Sequence, residues 1–172
     1  MHSGISHASD NYSEGSRSNR DVEHWRNQMN FWIMMFILAG TQQTPQEIWL
    51  TKAGQILQKK VEEKTGEPLS EWYVVVKKIP GGHIGYFSRQ INGTFKVTIS
   101  PKLTSEVEIL ATLLHELVHV ALKKSGHGSK FKKLASSLGL EGEDGNMGRT
   151  YANNSLKLEL SKIIKTLGPY PE

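Results

Sequence analysis

Residues 113–131 read LLHELVHVALKKSGHGSKF and gather three of the chain's seven histidines, His115, His119 and His127. On a helix, positions i and i+4 are neighbours on one face, with Cβ atoms about 5–6 Å apart. His115 and His119 have that spacing and can share one metal ion. A catalytic zinc takes three protein ligands and keeps one position open. His127 is the natural third, because Gly126 and Gly128 flank it and let the backbone turn back toward the helix. Glu116 directly follows the first histidine, so it projects close to a metal without being one of the pair. A carboxylate there can take the proton of a water whose pKa the metal lowers to about 7, and can pass that proton to a leaving amine. HExxH therefore joins two ligands and a general base in one short motif. From composition it arises by chance about 0.02 times in a chain of this length. A surface helix with stray histidines is the plainer reading. It leaves unexplained why the motif sits mid-helix and why Gly-His-Gly follows so soon.

The whole chain sets the bounds. Its 172 residues suffice for one domain with a real core, and 37% hydrophobic with 22% charged residues is ordinary for a soluble globular protein. The net charge of +4 permits an anionic partner without demanding one. The absence of cysteine excludes disulfides and a cysteine zinc ribbon, so His, Asp or Glu must hold any transition metal. It also fits a reducing compartment, and a cytoplasmic location is expected. The longest apolar run, FWIMMFILA over residues 31–39, is shorter than the ~20 residues of a membrane span. Polar sequence including Asp10, Glu14, Asp21 and Glu23 precedes it, where a signal peptide has a short basic region. The run is expected to dock on the core or a partner, with an unusual signal anchor as the alternative.

The elements around the motif follow from pattern. Residues 1–43 read as a disordered leader, poor in apolar residues up to about 22, plus the short apolar segment and a polar linker. Residues 44–172 form the domain. Thr44-Pro45-Gln46-Glu47 is a capping box with proline at the first helical position. Trp49, Ala53, Ile56, Leu57 and Val61 then fall at helical spacing until Gly66 and Pro68. Residues 71–79, 83–90 and 94–100 read as three strands, the last two forming an antiparallel hairpin across Asn92-Gly93. Ser105 and Glu108 form a second capping box. Ile109, Leu113, Leu117 and Ala121 make one apolar stripe of a helix over about 106–123. Ser129 is expected to cap a short helix with Phe131, Leu134, Ala135 and Leu138 on one face. Residues 139–148 read as loop, and Asn154 or Ser155 starts a last helix with Leu156, Leu160, Ile163, Ile164 and Leu167 inward. The order predicts an α+β, zincin-like domain in which a small three-stranded sheet packs on the HExxH helix.

At these residues the chain resembles the SprT-like zinc metallopeptidases. The features are His115-Glu116-x-x-His119, then His127-Gly128 and the aromatic Phe131. Two further matches are VTISP over residues 97–101 and LATLLHE over residues 110–116. The resemblance covers about 44–170 and is to the compact members often encoded by bacteriophages and their hosts. It implies His115, His119 and His127 as zinc ligands and Glu116 as catalytic base. The eight residues from His119 to His127 speak against the metzincin pattern, where the third histidine comes six after the second. Many members continue into a four-cysteine zinc ribbon that helps contact DNA, which this cysteine-free chain does not carry.

The functional expectation is a zinc metalloendopeptidase acting on protein substrates, including DNA-associated proteins. One alternative is a non-catalytic zinc-binding protein of zincin fold that binds such proteins without cutting them. A hydrolase of a non-peptide bond ranks last. Lys123, Lys124, Lys130, Lys132 and Lys133 lie beside the motif. They form either a patch for weak DNA association or a solvated helix face. His83, at a Pro-Gly-Gly turn, reads as a loop histidine. Trp49, Trp72 and Phe131 read as core. Arg149 and Tyr151 follow a loop expected to lead away from the site, and no residue is singled out to stabilise an oxyanion.

Overall fold

Thr44 opens the first helix as its sequence requires. In the computed structural model, which describes residues 42–143 and 145–172, the Thr44 hydroxyl accepts from the Glu47 N–H at 3.2 Å. The Glu47 carboxylate accepts from the Thr44 N–H at 2.9 Å. The expected leader and apolar run lie outside the described residues. Helix α1 spans Pro45–Thr65 and ends on Gly66 in the left-handed region, φ 73°. It buries Trp49, Leu50, Ala53, Leu57 and Val61. Ile56, expected inward, is 41% exposed. At 100° per residue it falls just off the arc that those five positions share. Glu47 also accepts from the Val76 N–H at 3.0 Å, which ties the start of α1 to the first strand.

Strands β1 (Trp72–Val76), β2 (Gly85–Arg89) and β3 (Phe95–Ile99) form one sheet in the order β1-β3-β2. The hairpin across Asn92-Gly93 is antiparallel, with Gly93 at φ 87°. β1 runs parallel to β3, so β3 takes the centre and β2 is left at an edge. That edge lies against the next helix, α2 (Glu106–Leu122).

Ser105 supplies half of the expected box on α2, its hydroxyl accepting from the Glu108 N–H at 3.4 Å. The expectation of a single apolar stripe falls short of what forms. Every residue from Ile109 to Val120 is buried, because α1, β2, β3, the later helices and a second sheet all pack on this helix. A helix apolar nearly all round belongs in a core. The two histidines and the glutamate of the motif are carried into that core with it.

α2 closes in a Schellman turn. Lys124 N–H donates to the His119 carbonyl at 3.3 Å and Lys123 N–H to the Val120 carbonyl at 3.2 Å. Lys123 takes φ 53°, unique as a non-glycine with positive φ among the described residues. A left-handed non-glycine costs about 1–2 kcal/mol. Lys123→Gly is therefore expected to stabilise the fold by roughly 1 kcal/mol, net of the extra freedom glycine gives the unfolded chain. Urea unfolding with a raised midpoint and an unchanged slope is the measurement.

Helix α3 (Ser129–Ser137) starts one residue earlier than a Ser129 cap allows: Gly128 is the cap and no side chain bonds there. Phe131, Ala135 and Leu138 are buried. The expected loop over 139–148 is instead most of a hairpin, β4 (Leu140–Glu143) with β5 (Asn146–Ala152). Its glycines suggested loop, but Gly142 is needed by the pairing itself. A Cβ there would lie 2.8 Å from the Asn146 carbonyl carbon, at the bulge where the register shifts. Helix α4 (Asn154–Leu167) is capped by Asn153, one residue before the expected start, with its side chain accepting from the Leu156 N–H at 2.9 Å. Leu156 and Leu160 are buried, while Ile163, Ile164 and Leu167 are half-buried. The described residues thus make a mixed α+β fold whose innermost element is α2.

Candidate metal centre

His115 and His119 lie one turn apart on α2, and the loop after the helix brings His127 back over them. The three Nε2 atoms converge: 3.2 Å from His115 to His119, 3.2 Å from His119 to His127 and 3.1 Å from His127 to His115. A tetrahedral ion with metal–nitrogen bonds of about 2.0–2.1 Å sets its ligand nitrogens about 3.3–3.4 Å apart. The observed triangle is close to that size. These residues can hold a metal ion.

Two of the imidazoles are held from behind. His119 Nδ1 lies 2.7 Å from the Lys124 carbonyl. A carbonyl only accepts, so Nδ1 carries the hydrogen and Nε2 keeps its lone pair for a metal. The Schellman turn thus has two functions. Its Lys124 N–H meets the His119 carbonyl, and its Lys124 carbonyl meets the His119 ring. His115 Nδ1 lies 2.9 Å from the Thr150 hydroxyl on β5. Sequence reasoning missed Thr150, because no element was assigned to the residues between the expected loop over 139–148 and the last helix. No spacing rule links a threonine to a histidine 35 residues earlier.

Phe131 lies against all three rings, with centroids 4.9 Å from His115, 4.5 Å from His119 and 4.7 Å from His127. Phe87 of β2 stacks on His119 at 5.4 Å and 15°. The aromatic read as core is core, at 1% exposure. It is also the wall on which the histidines rest.

Burial dominates the electrostatics. It lowers the His115 pKa to about 3, helped by the charges of His119 and His127. It lowers His119 to about 4 despite the Lys124 carbonyl bond, with His127 adding to the fall. His127 is lowered by burial as well. All three are therefore neutral near pH 7, the form that binds metal. Glu116 is 5% exposed, and burial raises its carboxyl pKa to about 8. Its neighbour across the gap is the backbone of Gly85 on the edge strand. A Cβ at Gly85 would run into the Glu116 carboxylate and approach Thr112 Cγ2 to 2.7 Å. Only glycine lets that strand lie so near the carboxylate.

The other sequence candidates fall outside this cluster. His83 is exposed on its turn, as expected of a loop histidine. Trp49 is buried and Trp72 packs partly buried on the core. Lys123, Lys124, Lys130, Lys132 and Lys133 are all exposed, and none forms an ion pair among the described residues. Arg149 and Tyr151 flank Thr150 on a strand that returns to the site rather than leading away. Alternation sets them on the opposite face from Thr150, and both are exposed. No helix among the described residues is long and apolar enough to cross a membrane.

No family model and no curated protein match the chain. Among solved structures it is similar to the crystal structure of the metallopeptidase zymogen of Pyrococcus abyssi abylysin. The two share 18% identity at a TM-score of 0.37, over 69% of this chain and 99% of that one. So loose a likeness carries no inference about this chain, whose chemistry rests on the side chains just described.

Proposed function

We propose that this chain is a zinc-dependent metallopeptidase of SprT-like type, with His115, His119 and His127 as ligands and Glu116 as general base. The observation that carries the reading is the convergence of three neutral Nε2 atoms, with a buried glutamate next in sequence to the first of the three histidines. When bound, zinc supplies Lewis acidity toward a peptide carbonyl and toward water. The protein's own part is to present three fixed lone pairs and to move protons. Glu116, which directly follows the proposed ligand His115 in the sequence, is the group assigned to accept a proton from the attacking water and return it to the leaving amine. Gly85 lets the edge strand pack directly against that carboxylate. Five exposed lysines on the turn and on α3 support protein substrates that are themselves associated with DNA.

Metal analysis with cleavage assays tests this. The purified protein is expected to carry one zinc per chain and to cleave casein or a DNA-bound protein. Chelation should abolish cleavage and added zinc should restore it. Zinc retained without cleavage of any protein, with or without DNA, would leave a non-catalytic zinc-binding protein. Absence of any bound metal would overturn both. DNA affinity that does not weaken with salt, or is absent, would remove the DNA-directed part alone.

A further inference from the structure

We infer that Thr150 is a positioning residue for His115, whose hydroxyl pairs the ring both in the form that can bind metal and in the metal-free form. The inference rests on the zinc reading above and extends it to a residue of a different element. The two pinned histidines are pinned differently. His119 is held by a main-chain carbonyl, which leaves it no choice of tautomer. His115 is held by a hydroxyl, which can accept from Nδ1–H or donate to a bare Nδ1. In the first arrangement Nε2 offers a lone pair to the centre. In the second it carries a hydrogen and faces the Nε2 atoms of His119 and His127 at 3.2 and 3.1 Å.

His119 already offers a lone pair at that point. With no ion present, the hydroxyl permits His115 to turn a hydrogen toward it. With an ion present, the hydroxyl accepts and the ring is held in register. Thr150 thus lets one ring serve both states without leaving a buried nitrogen unpaired. β5 presents it there because the strand packs on α2, with Ala152, two residues on, buried. His127 has no such partner from behind among the described bonds, so the rigidity of the triad rests on the other two rings and on Phe131.

The experiment compares wild type, Thr150→Val and Thr150→Ser in the full chain. Valine keeps the shape and removes the hydroxyl, while serine restores it. Zinc affinity is read by competition with a chromophoric chelator, and the His115 tautomer by ring nitrogen NMR of the metal-free protein. Loss of an outer partner of a ligating histidine typically costs 10–100-fold in metal affinity. Thr150→Val is expected to bind zinc about tenfold more weakly, with changed His115 ring nitrogen shifts. Thr150→Ser should return both toward wild type. Wild-type affinity and shifts in a folded Thr150→Val would overturn the inference while leaving the zinc reading intact. A valine variant whose affinity loss serine does not restore would also overturn it, assigning Thr150 to packing. A wild type that binds no zinc would overturn the zinc reading and this inference together.

Discussion

Glu116→Gln is expected to keep one metal ion per chain and to cleave peptide bonds about 10²–10⁴-fold more slowly than the wild type. Glutamine preserves the size of the side chain and the space against Gly85, so the three imidazoles are undisturbed. What it loses is the ability to take a proton. The same substitution removes an ionisable group that burial has pushed up to a pKa of about 8. An isolated buried carboxylate is costly when charged. The metal-free variant should therefore melt no lower than the metal-free wild type, while its activity collapses. This opposition of stability and activity separates a catalytic group from a structural one. Metal content, turnover and melting temperature are measured on one preparation. Full turnover in a metal-loaded Glu116→Gln would sink the mechanism.

Phe131→Ala should produce the largest loss of stability at the site. Truncating a buried phenylalanine costs about 3–5 kcal/mol, from lost transfer energy and the cavity left behind. Phe131 is 1% exposed and touches the three histidines, so that cavity opens directly behind their rings. The rings gain freedom to tilt, and zinc affinity should fall together with stability. Phe131→Leu fills most of the space without a flat ring face, and should recover more stability than affinity. Denaturant unfolding and zinc titration of the folded fraction read the two effects apart. If the folded alanine variant binds zinc as tightly as the wild type, Phe131 is core alone.

Much of this was legible in the sequence where a local rule applied. The box at Thr44 and Glu47, the Asn92-Gly93 hairpin and the i, i+4 placement of His115 and His119 each depend on residues within a few positions. Helix ends also read well, to within a residue at Asn153 and Gly128. What escaped depends on contacts between distant segments. β4 and β5 were hidden because Gly142 and Gly145 suggest loop, whereas Gly142 is there to let two backbones approach. The parallel pairing of β1 with β3 has no local signature. Gly85 gave no sign that it leaves room for a carboxylate, nor Thr150 that it meets a ring. The burial of Glu116, and hence its raised pKa, follows from α2 being covered on every side. A stripe of apolar residues announces only one covered side.

The separations along the chain within the centre have a consequence for the order of events during folding. The three imidazoles are brought together across 4, 8 and 12 residues, while the Thr150 hydroxyl arrives from 35 residues away. Closing a loop of about ten residues takes ~10–100 ns, and helix formation ~0.1–1 μs. The three imidazoles can thus be brought together within one helix and its following turn, without any strand having to pair. The hydroxyl comes only once β5 has docked, and a non-local strand pairing of that kind is slow. On the proposed zinc reading, an ion supplied while the chain refolds would meet a loose local clasp first. On the zinc reading and the role inferred for Thr150, the full grip would come only when the distant hairpin closes behind it.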